Sequence, residues 1–410
     1  MKNKLLPIVF FLFTFINKSD AQIWKRIKQK AEDAITKKAG DEIDKTINGN
    51  KKDKKTPETE DQKDNDTNET SEKQEENTNT TSTKEPEELW RNFKFIPGEK
   101  IIFYDDLKFE ENGEFPSKWD LIKGGVEVAK LGNDKIIYAT TNSYNRINPL
   151  FENKNYLSDE FTIEFDIYIN DYGKYPTDMT KYLISFREES FYVGFNEISI
   201  FANRKGITGR VSEGHTHFDF ENVPLGETNS WHHISISYYK KKLKVYYDGH
   251  RISNLPNFKI PVEKFALDFK TSNKDHKAAI KNIRIAHGGG QMYKRIIADG
   301  KYVTNGILFD SGKATIKPQS MGVINKIVNV MNEYPDWNFE IIGHTDSDGN
   351  DQANLILSKQ RAEAVKQAII KQGIKIERLS VIGKGETEPL NNNSNLLEKA
   401  NNRRVEFIKK

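Results

Sequence analysis

The sequence predicts a multidomain chain: an all-β two-sheet sandwich over residues 95–287, then an α/β domain of βαβαββ order over 291–410, both behind a segment that cannot fold. Three observations predict this. Residues 160–169, EFTIEFDIYI, alternate strictly, placing Phe161, Ile163, Phe165, Ile167 and Ile169 on one face and Thr162, Glu164, Asp166 and Tyr168 on the other. Beyond residue 291 strand-like and helix-like periods alternate, as in a mixed sheet with helices on one side. From Asn48 to Glu88 there is no aliphatic or aromatic residue, so nothing there can build a core.

Residues 1–21 carry Lys2 and Lys4, an apolar run from Leu5 to Ile16, and small residues at Ser19 and Ala21. This is the pattern of a secretory signal peptide, too short to span a bilayer as a folded helix, and a mature chain starting at Gln22 is expected. Over 22–47, Ile23, Ile27, Ala31, Ile35, Ala39, Ile43 and Ile47 recur every fourth residue and predict an amphipathic helix. At 3.6 residues per turn that stripe drifts by about 40° per step, which argues against a long straight coiled coil. Trp24, Lys25, Arg26 and Lys28 suit its start to a membrane surface or a partner; a marginal exposed helix is the alternative. Residues 48–88 read as a disordered acidic linker. Residues 51–88 hold 13 acidic and 7 basic side chains, a balance that favours extension.

Within 95–287, WHHISISYYKKKLKVYYDGHRI (231–252) reads as strands, with Asp248-Gly249 at a tight turn. HGGGQ (287–291) reads as a flexible hinge. In the last domain the strand readings are 303–310, 337–344, 379–386 and 403–410. The helix readings are 317–334 and 354–373, the second closed by Gly373.

Composition narrows the function. The formal charge of +3 falls to +1 once residues 1–21 are removed, so no electrostatic pull toward nucleic acid is expected. The chain has no cysteine, which excludes disulfides, thiolate metal sites, a thiol nucleophile and lipidation on cysteine. No cofactor motif is found, and after residue 21 no apolar run has transmembrane length.

One arginine is out of place. Arg361 shares a helix face with Ala353, Leu357, Val365 and Ile369, and a guanidinium beside an apolar stripe needs an anionic partner. Asp346 follows the strand ending at His344 and can meet Arg361 across one cleft; the alternatives for that partner are a ligand and an internal Asp346–Arg361 salt bridge.

The motifs ILFDSGKATIKP, GHTDSDG, Asn354 with Leu357-Ser358 and Arg361-Ala362, RLSVIGKGETEP and NNRRVEF follow in order across about residues 296–410. In these the chain resembles the OmpA C-terminal-like, peptidoglycan-binding family. The resemblance implies an OmpA-like domain in the periplasm that holds the diaminopimelate of a stem peptide without covalent chemistry, at the cell wall and in association with the outer membrane. Asp346 would take the ammonium and Arg361 the carboxylate, with Thr345, Asn354, Leu357, Ser358 and Arg403 lining or bracing the cleft. Arg supplies a planar fork that Lys does not. Two departures stand out: Ala353 where many relatives carry an aromatic, and Glu398 where many carry glycine.

The strand order of 95–287 resembles the concanavalin A-like or laminin G-like jelly roll, through FTIEFDIYI, WHHISISYYKKKLKVYYDG and AAIKNIRIAHG. This implies a glycan or protein ligand for the sandwich, and opens a rival reading in which the sandwich is a carbohydrate-active or adhesive module merely localised by the last domain. Glu164 and Asp166 share a strand face like glycosidase carboxylates, although the alternation of a solvated face accounts for them equally. His215 with His217, or His232 with His233, lack a third ligand at a telling spacing, so no metal is expected. The favoured reading is non-enzymatic.

Overall fold

The computed structural model describes residues 94–410, apart from 174, 176, 188–195 and 291. The signal peptide, amphipathic helix and linker expected over 1–88 lie outside the described residues.

The β-rich half contains β1 (Lys100–Asp105), β2 (Trp119–Lys123), β3 (Val126–Leu131), β4 (Asp134–Ala139), β5 (Asn145–Pro149), β6 (Glu160–Ile169), β7 (Met179–Ser185), β8 (Asn196–Asn203), β9 (Gly206–Glu213), β10 (Thr216–Asp219), β11 (Ser230–Tyr239), β12 (Lys242–Tyr247), β13 (His250–Leu255), β14 (Ala266–Thr271) and β15 (Ala279–His287). They form two antiparallel sheets. The larger runs β13-β12-β11-β6-β15-β4-β3, with β1 also on β15; the smaller runs β10-β9-β8-β7-β14-β5-β2. The alternation of β6 sends Phe161, Ile163, Phe165 and Ile167 into one core with Ile184, Ile198, Ile200, Leu267 and Phe269 of the smaller sheet. Each such side chain contributes roughly 1.5–3 kcal/mol by leaving water.

Asp248 (φ 43°) and Gly249 (φ 79°) make the expected tight turn. A second two-residue turn, Lys240-Lys241 (φ 44° and 70°), joins β11 to β12 without glycine or asparagine and is invisible to turn chemistry.

The C-terminal half holds α1 (Met292–Asp299), β16 (Lys301–Thr304), α2 (Met321–Glu333), β17 (Phe339–His344), α3 (Asp351–Ile370), β18 (Leu379–Gly385), α4 (Leu396–Asn402) and β19 (Val405–Lys409). Its sheet runs β16-β19-β17-β18, with β17 and β18 parallel. The expected βαβαββ order is present with two additional short helices, α1 and α4. Glu398 does not distort the loop before α4. Its backbone N–H donates to the capping Asn395 side chain, and its carboxylate accepts from the Ser394 backbone N–H at 2.8 Å.

The two halves are packed into one compact unit. The outer face of the larger sheet, which alternation alone assigns to solvent, is covered: Glu164 is 3% exposed and Arg284 4%. Residues 94–99 run through the junction. Phe95 packs with Tyr246 and Met321, Ile96 packs against the C-terminal core, and the Gly98 carbonyl accepts from Arg284. The glycine run expected as a hinge is pinned, with Gly288 N–H on the Glu160 carbonyl and Gly289 N–H on the Glu99 carboxylate. On β1, Asn401 of α4 pairs with Ile101 like a short strand, its amide oxygen accepting from the Ile101 N–H and its amide nitrogen donating to the Ile101 carbonyl, both at 3.1 Å. Asn401→Ala strips two buried-edge backbone groups of their partners. It is expected to lower stability by about 1–3 kcal/mol in urea denaturation, and an unchanged midpoint would refute the role assigned to this lock.

Candidate ligand-binding site

Helix α3 lies unusually close to its sheet. A Cβ on Gly343 would collide with the Ser358 backbone, and one on Gly383 would stand 2.5 Å from the Lys359 nitrogen. Ser358 exploits that closeness: its buried hydroxyl donates to the Leu355 carbonyl and accepts from the Gly385 N–H, both at 2.8 Å. The start of α3 is thereby fixed against the ends of β17 and β18. Asn350 caps the helix by accepting from the Gln352 and Ala353 N–H groups. Asn354 braces the loop before it, donating to the carbonyls of Asp346 and Asp348 and to the Glu386 carboxylate.

Asp346 and Arg361 do not pair. Asp346 is bound by Arg403 at 2.5 Å, while the Arg361 Nε–H donates to the Lys313 carbonyl at 3.0 Å and its guanidinium lies over the Phe309 ring. Among the described residues no carboxylate forms an ion pair with Arg361. Burial, and then the neighbouring Arg403 charge, lower its pKa against the opposing pull of Asp346. The stripe drawn through Ala353, Leu357, Arg361, Val365 and Ile369 is slanted: Ala353 is exposed, Leu357 and Arg361 half-buried, Val365 and Ile369 buried. Thr345 is buried with no hydrogen-bond partner for its hydroxyl.

Arg361 and Arg403 open onto a cavity of about 200 Å³ between the two halves. Of the expected site residues, these two line it; Asp346, bound by Arg403, and Thr345, Asn354, Leu357 and Ser358 do not. The opposite wall comes from the β-rich half: Tyr104, Glu164, Asp166, His233 and Arg284. Sequence reasoning treated Glu164, Asp166 and His233 only as rival sites. Arg284, in the strand NIRIAH, was the available signal that their face meets a partner.

These side chains form cross-strand pairs. Arg284 faces Glu164 across β15–β6 and binds it at 2.5 Å; His233 faces Asp166 across β11–β6 and binds it at 2.7 Å. Asn282, in a left-handed bulge (φ 56°), adds a bond to Asp166 at 2.6 Å. Burial opposes charge on Glu164, Asp166 and His233, but the pairing outweighs it. His233 is raised to about 10, while the charges of Arg284 and His233 hold Glu164, and the His233 bond holds Asp166, below their usual range. The other histidines are accounted for locally: His232 binds Asp248 at 2.5 Å and stacks on Tyr247, and His217 meets the Ser212 hydroxyl at 3.1 Å. Among the described residues no three His, Asp or Glu side chains gather as a metal site.

Residues 308–403 match the model of the OmpA family. Over 100 residues the chain is 41% identical to outer membrane porin F of Pseudomonas fluorescens, covering 24% of this chain and 31% of that protein. Over 107 residues it is 31% identical to the peptidoglycan-binding protein ArfA of Mycobacterium bovis, covering 26% and 33%. A solved peptidoglycan-associated lipoprotein from Burkholderia pseudomallei aligns with 24% identity over 25% of this chain and 88% of that one, at a TM-score of 0.25. The chain thus spans about a third of the length of these curated relatives.

The buried network makes stability depend on pH with a definite sign. His233, raised from 6.5 to about 10, contributes fully below pH 6.5 and loses that contribution as pH rises toward 10. Glu164 and Asp166, lowered from 4.5 and 3.8, contribute above those values and lose it as pH falls. The urea midpoint of the protein is expected to fall between pH 6.5 and 10, and less steeply in His233→Gln; equal slopes would refute the assignment.

Proposed function

We propose that the OmpA-family domain at residues 308–403 binds peptidoglycan without covalent chemistry and anchors the chain to the cell wall. The observation that carries this reading is the half-buried guanidinium of Arg361, held by a carbonyl and an aromatic ring but by no carboxylate among the described residues. A ligand carboxylate would supply the missing charge, and the planar fork would accept it in two bonds. Meso-diaminopimelate carries an ammonium and a carboxylate on one carbon; Asp346, already accepting from Arg403, is the group for the ammonium. The relative named as a peptidoglycan-binding protein supports the ligand class, and the relative named as an outer membrane porin supports a place in the envelope, in the periplasm at the outer membrane.

The β-rich half, read as a concanavalin A-like jelly roll, is then a module carried at the wall. A catalytic role for it draws less support. A glycosidase needs one carboxyl kept protonated, and both Glu164 and Asp166 are held ionised. A single clamp of two charge-assisted contacts binds weakly, and a polymeric wall raises retention through avidity.

The protein is expected to sediment with purified diaminopimelate-type peptidoglycan. Arg361→Ala, with its fold verified by circular dichroism, is expected to weaken that binding about ten- to hundredfold, and Arg361→Lys to recover it only in part. Equal sedimentation of protein and Arg361→Ala would remove the clamp from the mechanism.

A further inference from the structure

Several of the buried polar atoms without a hydrogen-bond partner lie on residues that line the cavity between the two halves. His233 Nε2, Arg284 Nε and His344 Nδ1 belong to this group, on residues 7%, 4% and 3% exposed that all line the cavity, while His344 Nε2 stands 3.4 Å from Glu406. Each buried donor left unmatched costs roughly 1–3 kcal/mol, so such a cluster calls for a partner. His233 spends its Nδ1 on Asp166, with Nε2 3.6 Å from Glu164; Arg284 spends its terminal nitrogens on Glu164 and the Gly98 carbonyl. What remains includes the Nε2–H of His233 and the Nε–H of Arg284, each on a cation.

The charges on the wall have a definite surplus. Glu164 and Asp166 are matched by Arg284 and His233, and Arg403 and Arg404 are matched by Asp346 and Glu406. Arg361 and Lys317, both in the lining, have no ion-pair partner among the described residues. Two unmatched positive charges suit a ligand with two carboxylates. The volume of about 200 Å³ lies below the ~300–1,000 Å³ of sites for drug-sized molecules, so it has room for one or two amino-acid residues rather than a disaccharide.

We propose that the β-rich half completes the ligand site: His233 and Arg284 donate to an oxygen of a short anionic peptide whose first carboxylate is held by Arg361. This deepens the peptidoglycan reading and rests on it for the first contact. The wall anchor then recognises the residue attached to the diaminopimelate as well as the diaminopimelate itself, and the covered sheet sets which stem peptides fit.

The test is calorimetric titration of the full chain with two probes, free meso-diaminopimelate and the tripeptide L-Ala-γ-D-Glu-meso-diaminopimelate. His233→Gln and Arg284→Lys, which keeps the charge on Glu164, are each expected to weaken the tripeptide about tenfold and free diaminopimelate less than twofold. Arg361→Ala is expected to weaken both about ten- to hundredfold. Because the buried variants risk misfolding, the imidazole nitrogens of His233 are also followed by NMR in the unaltered protein, where saturation with tripeptide is expected to shift the Nε2 resonance. If Arg361→Ala weakens binding while folded His233 and Arg284 variants hold the tripeptide as tightly as the unaltered protein, or the Nε2 resonance stays still, the composite site falls alone. If the unaltered chain binds neither probe, the anchoring reading falls with it.

Discussion

A carboxylate at the position of Glu164 is tolerable only with Arg284 directly across the strand pair, and much of the architecture follows from keeping those two charges together and dry. Taking a carboxylate and a guanidinium out of water costs several kcal/mol each, recovered only when geometry and the remaining hydrogen bonds are good. Arg284 therefore also reaches the Gly98 carbonyl, and His233 and Asn282 complete the environment of Asp166. The result is a polar sheet face that can be covered only by a partner matched to it. The C-terminal half provides the cover, through apolar contacts of Ile101, Ala286 and Ala400 at one side and Phe95, Tyr246 and Met321 at another. Buried ion pairs of this kind contribute little net stability compared with apolar residues of the same volume, so their value here lies in fixing how the halves meet.

The same covering decides what kind of site the C-terminal half presents. Ser358, Gly343 and Gly383 hold α3 tight on its sheet, and Asn354 ties down the loop carrying Asp346. Arg361 is consequently presented at a fixed height on one wall, with Phe309 beneath it. Placed alone, such a guanidinium would face bulk water and its interactions would be screened. Enclosed between two walls, it works at a lower effective dielectric, where each charge-assisted contact is stronger.

Local rules made much of this legible in the sequence. Strict alternation gave β6 its buried face, the Asp248-Gly249 pair gave its turn, and the four-residue spacing of Ala353, Leu357, Arg361, Val365 and Ile369 gave the helix that carries Arg361. What stayed hidden depends on contacts distant in sequence. Lys240 and Lys241 take a left-handed turn because β11 and β12 pair on either side, not because lysine favours it. Arg403 rather than Arg361 pairs with Asp346 because α4 brings it in from 57 residues away. Period-two alternation cannot distinguish a face wet by solvent from one wet by another domain's charges, so Glu164, Asp166 and His233 read as an isolated polar patch. Arg284, in a strand that also carries Lys281 and Asn282, was a signal that sequence reasoning left unused.

The path of residues 94–99 has a mechanical consequence. The chain enters the described unit at the seam, with Phe95 wedged between Tyr246 and Met321 and Gly98 tied to Arg284, before β1 begins. In the proposed anchoring, a wall contact at Arg361 would hold the other end of any load. Tension drawn through the amino-terminal side is therefore transmitted across the seam instead of being carried through the β-rich half strand by strand. That load would act at the interface housing the cavity, so pulling and the proposed ligand capture would share the same few buried side chains.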